Sequence, residues 1–131
     1  MLNWGIQKTW RKPVFPIRIS REGGHFEDGE GVPFLWQGDT AWRLFWMLSD
    51  EQARSYIDAR AAQGFSVLQI HLLPHHIWQT NYYGENPFEE CGVISKPNER
   101  YFSRADRILR YAESKGLAVA LAPMWLSTWE D

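Results

Sequence analysis

The stretch Ala61–Leu68 (AAQGFSVL) decides the fold, because a glycine stands between the end of a helical segment and an apolar run. A second stretch, Glu113–Ala120 (ESKGLAVA), repeats the same order. Glycine commonly ends a helix because it adopts the left-handed backbone conformation without a steric penalty. Two successive copies of helix, glycine and strand are typical of βα units that form a parallel sheet.

Both helices carry recognisable sequence signals. Ser49 and Gln52 have the spacing of a capping box, in which each side chain bonds to the backbone N–H of the other residue. The first helix is therefore predicted to begin after Ser49 and to end at about Gln63. Apolar side chains recur at helical spacing through Asn98–Lys115, which predicts the second helix.

Three apolar runs predict the strands of the sheet. Val32–Gln37 is predicted as the first parallel strand and ends in a turn at residues 38–40. Phe65–Leu73 and Leu117–Met124 follow the two helices, and apolar runs this dense suit strands that are covered on both faces. Ahead of them, the alternation at Ile17–Ser20 and the turn residues that follow predict a short β-hairpin.

Parallel strands joined by helices occur in doubly wound folds and in (β/α)8 TIM barrels. The turn after Gln37 holds one glycine followed by bulky aromatic residues, which obstruct the approach of a nucleotide phosphate to the backbone. The predicted fold is therefore α/β, the N-terminal portion of a barrel with about three of its eight βα units. Because a complete barrel needs about 250 residues, we expect the chain to be truncated at its C-terminus. The predicted domains are an N-terminal extension over residues 1–16 and a partial barrel over residues 17–131.

The bulk composition excludes several functional classes. A net charge of -2 without a sustained basic block argues against nucleic acid as a partner. The N-terminal residues lack the apolar core of a signal peptide, and no later stretch has the length of a membrane span. A cytoplasmic chain without a membrane partner is therefore expected. The single cysteine, Cys91, has no internal disulfide partner, and the sequence leaves the oligomeric state open.

Reactive groups of a barrel lie at the C-terminal ends of its strands, which points to Asp39, His71 and Trp125. Asp39 either caps the helical stretch that follows it, contacts a substrate hydroxyl, or acts in catalysis. Alternation along the second strand turns its apolar residues toward the helices and leaves Gln69 and His71 pointing into the barrel. There His71 either joins a hydrogen-bonded interior layer or binds a substrate hydroxyl.

Aromatic residues make up 15% of the chain, with eight tryptophans among them. Indole rings fill protein cores, but their flat faces also stack on sugar rings. Trp42 and Trp125 follow strand ends and are the two candidates for such stacking. The carboxylates of the long loop and of the C-terminus are expected to be solvated charges without a catalytic pair among them: Glu85, Glu89, Glu90, Glu130 and Asp131.

Four blocks of the sequence occur in a characteristic order: PFLWQGDTAW at Pro33–Trp42, YIDARAAQGF at Tyr56–Phe65, NYYGENPF at Asn81–Phe88, and KPNERYF at Lys96–Phe102, continuing to Trp125. Together they resemble the apiosidase-like catalytic domain of glycoside hydrolase family 140 and its uncharacterised relatives. The resemblance extends from about Ile17 to Trp125, which makes it more specific than any single short motif.

The resemblance implies a glycoside hydrolase that uses two carboxylates to cleave glycosidic bonds in side chains of plant or microbial polysaccharides. By the same resemblance those carboxylates come from later strands, so none is assigned to a residue of this chain, and the chain alone is expected to be inactive. Asp39, Trp42, His71 and Trp125 are predicted to form part of the wall that binds the carbohydrate substrate.

Two other functional classes stay open. An aromatic-rich chain without a carboxylate pair is compatible with a non-catalytic carbohydrate-binding module, although such modules are mostly antiparallel β-sandwiches. His71, His75 and His76 are compatible with a metal-dependent sugar isomerase barrel. No carboxylate or cysteine at matching spacing completes a metal site, so neither a metal nor another cofactor is predicted.

Overall fold

The computed structural model describes residues 11–76 and 78–124. The chain divides into two units, the first ending at Leu35 and the second beginning at Trp36. Within the described residues each unit has a three-stranded sheet of its own. No helix in these ranges is both long enough and apolar enough to cross a membrane.

The first unit contains an antiparallel sheet, whose strands in spatial order are β1 (Arg18–Ile19), β2 (Phe26–Glu27) and β3 (Pro33–Phe34). The predicted β-hairpin corresponds to β1 and β2. Asp28 is buried, and its carboxylate accepts the backbone N–H groups of Glu30 and Val32 at 3.0 Å each. These bonds shape the turn from β2 into β3.

The second unit contains the parallel sheet, whose strands in spatial order are β4 (Gly38–Thr40), β5 (Val67–His71) and β6 (Ala118–Ala122). Both neighbouring pairs are parallel, which confirms the predicted succession of βα units. The prediction of the first parallel strand at Val32–Gln37 is wrong. Part of that run pairs with β2 as β3, and the parallel register with β5 begins at Gly38.

Three helices connect the strands in the described part of this unit: α1 (Leu44–Met47), α2 (Asp50–Ala62) and α3 (Glu99–Ser114). The short helix α1 lies in the aromatic stretch after β4. α2 leads into β5, and α3 leads into β6. Strands and helices therefore alternate as the repeated sequence pattern predicts.

The helix ends have the predicted chemistry. The Ser49 hydroxyl accepts the N–H of Gln52, and the Gln52 side chain accepts the N–H of Ser49, so the capping box is complete. Gly64 and Gly116 follow the two long helices with φ angles of 84° and 79°. A side chain would be strained in this left-handed region, which is why glycine stands at both positions.

The main core lies between the parallel sheet and the helices. Leu68 and Ile70 are fully buried in it, whereas Gln69 between them is exposed. Leu68 and Ile70 therefore face the helix layer, as the strand alternation predicts. The buried core residues are Ala41, Leu44, Phe45, Trp46, Ala53, Ile57, Leu68, Ile70, Ala105, Ile108, Ala112 and Leu117.

The loop between β5 and α3 is held by asparagine side chains. The Asn81 amide oxygen accepts the N–H of Tyr83 at 2.9 Å and the N–H of Glu85 at 3.0 Å. The Asn98 amide donates to the carbonyl of Asn86 at 2.8 Å. Side-chain bonds thus take the place of regular secondary structure here.

Candidate functional site

The carboxyl end of β5 carries His71 on the face that points away from the helices. In the register of the sheet, Gln69 lies beside Ala120 and His71 lies beside Ala122. Residues in register on neighbouring parallel strands point to the same face, and Leu68 and Ile70 occupy the other one. His71 therefore faces the side that forms the interior when such a sheet closes into a barrel, as alternation predicts.

His71 packs against Trp42. The two ring centroids are 4.5 Å apart with 42° between the ring planes, and the backbone N–H of His71 donates to the Trp42 carbonyl at 3.2 Å. The His71 side chain is only 3% exposed, whereas Trp42 is half-buried and partly open to solvent. The structure thus brings together two of the four residues predicted for the sugar-binding wall.

An open cavity of about 380 Å³ adjoins Trp42. Thr40 lines it from the end of β4, Trp42 from the segment that follows, Met47 from α1, and Tyr56 from α2. Apolar and aromatic walls with a few polar groups are typical of small-molecule sites. An indole at the border of such a cavity can present its face to a flat, partly apolar ligand.

His71 also contacts His75 in the following loop, with Nδ1 of His71 3.1 Å from Nε2 of His75. Burial lowers the pKa of both imidazoles, aided at His71 by the charge of His75 and at His75 by the charge of Arg43. Both rings are therefore neutral at neutral pH, and one ring N–H donates to the bare nitrogen of the other.

Asp39 points to the opposite face of the sheet. It is level with Leu68 of β5, and its carboxylate accepts hydrogen bonds from the Tyr56 hydroxyl and the Arg60 guanidinium of α2. Burial alone raises the pKa of Asp39, but these two donors and the charge of Arg60 hold it below its usual value. The structure therefore separates Asp39 from His71 and gives it the role of joining β4 to α2.

Asp39 does not cap a helix either. The N-cap of α1 is Arg43, without a capping side-chain bond, and the N-cap of α2 is Ser49. The sequence placed Asp39 in a turn after the first strand, whereas it lies in the middle of β4. Its predicted place in the sugar-binding wall has no support from this geometry.

The carboxylates of the long loop have local partners. Glu85 accepts from the Asn81 amide at 2.9 Å, and Glu90 forms an ion pair with Lys96. Glu89 is exposed. Glu85 and Glu90 therefore have partners within the loop itself.

Among residues 11–76 and 78–124, no group of three or more His, Cys, Asp or Glu side chains is arranged to hold a metal ion. His71 and His75 bond to each other, and His76 stacks on Trp78. The remaining predicted residues lie outside the described ranges: Trp125, Glu130 and Asp131.

Arg104 of α3 is a supporting residue that the sequence did not reveal. Its guanidinium is buried and donates to the carbonyls of Phe45 and Leu48 and to the carboxylate of Asp50. It therefore fixes the C-terminal end of α1, and with it the segment that follows Trp42, against α3. No pattern marks it, because an arginine on a predicted helix is normally a surface residue.

A second cavity, of about 530 Å³, lies where the first turns of α2 and α3 meet the loop. Side chains of both charges line it, including Glu85, Glu99 and Arg100. Arg107 approaches the Asp50 carboxylate at 3.6 Å beside the closer contact of Arg104. Asp50, Arg104 and Arg107, which line this cavity, are paired with one another. We therefore interpret the cavity as part of the contact between α2 and α3.

Comparison with solved structures identifies the class of protein. A protein described as a glycoside hydrolase is 28% identical, with a TM-score of 0.76 over 86% of this chain and 26% of its own. A glycoside hydrolase family 5 protein from Bacteroides vulgatus ATCC 8482 is 23% identical, with a TM-score of 0.75 over 88% of this chain and 26% of its own. The chain thus has the fold of the N-terminal βα units of a barrel-type glycoside hydrolase and spans about a quarter of the length of these structures.

The sequence also identifies the family. The family model of the apiosidase-like catalytic domain matches residues 20–131. The chain therefore belongs to the family of apiosidase-like catalytic domains, which confirms the resemblance of its four motif blocks. A search of curated proteins finds no significant match.

Proposed function

We propose that the chain supplies the first three βα units of an enzyme that hydrolyses O-glycosyl bonds in side chains of plant or microbial polysaccharides. Its family and the parallel order of β4, β5 and β6 support this proposal. Such hydrolysis needs one carboxylic acid to protonate the leaving oxygen and one carboxylate to attack the sugar or to activate water.

The two catalytic carboxylates are assigned to other strands of the barrel. Asp39 is the carboxylate of β4, and it is engaged by Tyr56 and Arg60 on the helix side of the sheet. The carboxyl end of β5 offers neutral imidazoles instead. The chain by itself is therefore expected to bind sugar without cleaving it.

The contact between Trp42 and His71 carries the proposal for the binding site. His71 lies at the carboxyl end of β5 on the face away from the helices, and this is the end of the sheet at which barrel enzymes bind their substrates. The indole offers a flat surface to the C–H face of a sugar, and the buried His71 ring packs against that indole and holds it in place. Trp125 stays a predicted member of the same wall.

The test uses the hydrolase in which this chain is followed by the remaining barrel strands. Trp42→Ala is expected to raise KM about 3- to 10-fold, because it removes the stacking face, and His71→Ala is expected to raise KM by less, because it removes the ring that holds the indole in place. The exposed Arg107 on α3 provides the control variant, Arg107→Ala, which should leave KM unchanged. An unchanged kcat/KM in both site variants, with circular dichroism showing intact folding, would contradict the proposed wall.

A further inference from the structure

The loop after β5 carries an exposed tryptophan that the proposed wall does not include. Trp78 is 67% exposed, and it follows His71 by only seven residues. The loop leaves the sheet at the carboxyl end of β5, which is the end where barrel enzymes bind their substrates.

One face of the Trp78 indole is backed by a second ring. The His76 imidazole lies parallel to it within 1°, with the two centroids 5.2 Å apart, which is an offset stack. Since two-thirds of the tryptophan surface is still open, the indole face away from His76 is available to a ligand.

Hydrogen bonds hold the turn that carries Trp78. The backbone N–H of His76 donates to the Gln79 side-chain oxygen at 3.1 Å, and the Gln79 N–H donates to the His76 carbonyl at 3.0 Å. The Asn86 amide donates to the Gln79 carbonyl at 3.4 Å and ties the turn to the later part of the loop. A turn that is already ordered loses less conformational entropy when a ligand binds to a side chain on it.

A neighbouring exposed aromatic lacks these properties. Tyr82 is 56% exposed, but it meets Tyr83 edge-on, at 80° between the ring planes. The hydroxyl of Tyr83 in turn accepts the backbone N–H of Asp50, so this pair belongs to the start of α2. Tyr82 therefore serves as a matched comparison for Trp78.

We infer that Trp78, backed by His76, is a stacking platform for one pyranose ring of a polysaccharide at a distance from the bond that is cleaved. The inference rests on the proposed function. A sugar ring presents an apolar C–H face that packs on an indole face, and one backed indole accommodates one ring. The platform would extend binding from the wall at Trp42 and His71 along the polysaccharide.

Affinity electrophoresis of the chain in gels containing soluble rhamnogalacturonan, arabinoxylan or galactomannan tests the platform. We expect at least one polysaccharide to retard the wild-type chain. Trp78→Ala should weaken that binding about 3- to 10-fold, and Trp78→Phe, which keeps a ring, should weaken it less. Tyr82→Ala should bind like the wild type.

Three results would overturn the inference: no retardation of the wild-type chain by any of the three polysaccharides, undiminished binding by Trp78→Ala, or an equal loss in Tyr82→Ala. Circular dichroism of each variant separates lost binding from lost folding. These outcomes are distinct from a failure of the proposed function, because retardation is measured without turnover. Absent hydrolysis by the extended protein, with retardation intact, counts against the hydrolase proposal alone.

Discussion

Replacing Arg104 with methionine tests how the scaffold beneath the candidate site is held together. The Arg104 side chain is 3% exposed. Its guanidinium lies 2.6 Å from both the Asp50 carboxylate and the Leu48 carbonyl, and it also bonds to the carbonyl of Phe45. Methionine keeps a long, flexible side chain but removes the charge and all of the N–H donors.

The expected loss follows from these three acceptors. A hydrogen bond to a charged group contributes about 1.5–3 kcal/mol, and removing one partner of a buried ion pair costs about 3–5 kcal/mol. Asp50 is 37% exposed, so water can partly replace Arg104 at its carboxylate. We therefore expect Arg104→Met to lower the free energy of unfolding by about 3–5 kcal/mol, a large share of the about 5–15 kcal/mol typical of a domain.

Urea unfolding followed by circular dichroism measures this loss. Arg107→Met is the matched control on the same helix, because Arg107 is 57% exposed and 3.6 Å from the Asp50 carboxylate, and it should cost less than about 1 kcal/mol. Arg104→Lys keeps the charge but loses the planar fork, and it should unfold between the wild type and Arg104→Met. A loss below about 1 kcal/mol in Arg104→Met would refute the reasoning.

Three further predictions concern stability and protonation. The folded pKa of Asp39 lies below its unfolded value of about 3.9, so its ion pair stabilises the fold above that pH and is lost as the pH falls through the folded pKa. Asp39→Asn should cost about 1–3 kcal/mol at pH 7 and flatten the acid dependence of urea unfolding. In NMR titrations the rings of His71 and His75 should titrate below pH 6.5. Because the unfolded chain takes up these protons before the folded chain does, the free energy of unfolding should fall as the pH drops below about 6.5. Unshifted titration of both rings would contradict this prediction. Ser49→Ala should cost about 1 kcal/mol in urea unfolding, whereas the exposed Ser55→Ala on the same helix should cost almost nothing.

Features that depend on neighbours in the sequence were predictable. The capping box at Ser49 and the glycines at 64 and 116 act within one helical turn, so their residue types alone locate the helix ends. The alternation of β5 likewise follows from its own apolar pattern and places His71 on the face away from the helices.

Features that depend on distant partners were not predictable in the same way. The apolar run at Val32–Gln37 contains no signal that its first part pairs with β2. The first parallel strand was therefore predicted at Val32–Gln37, whereas β4 begins at Gly38. With β4 at its observed position, alternation alone would have put Asp39 on the helix side beside Leu68. The burial of Arg104 has no local signal, because its acceptors lie more than fifty residues away.

Release of reducing sugar from plant and bacterial polysaccharides tests the central claim most directly. The assay compares the 131-residue chain with a protein in which the same chain continues through the remaining barrel strands. We predict turnover by the extended protein and none by the chain alone, because general acid and base catalysis, worth about 10² to 10⁴-fold, requires carboxylates that we assign to those strands. Turnover by the chain alone, abolished by Asp39→Ala or Glu85→Ala, would contradict the account.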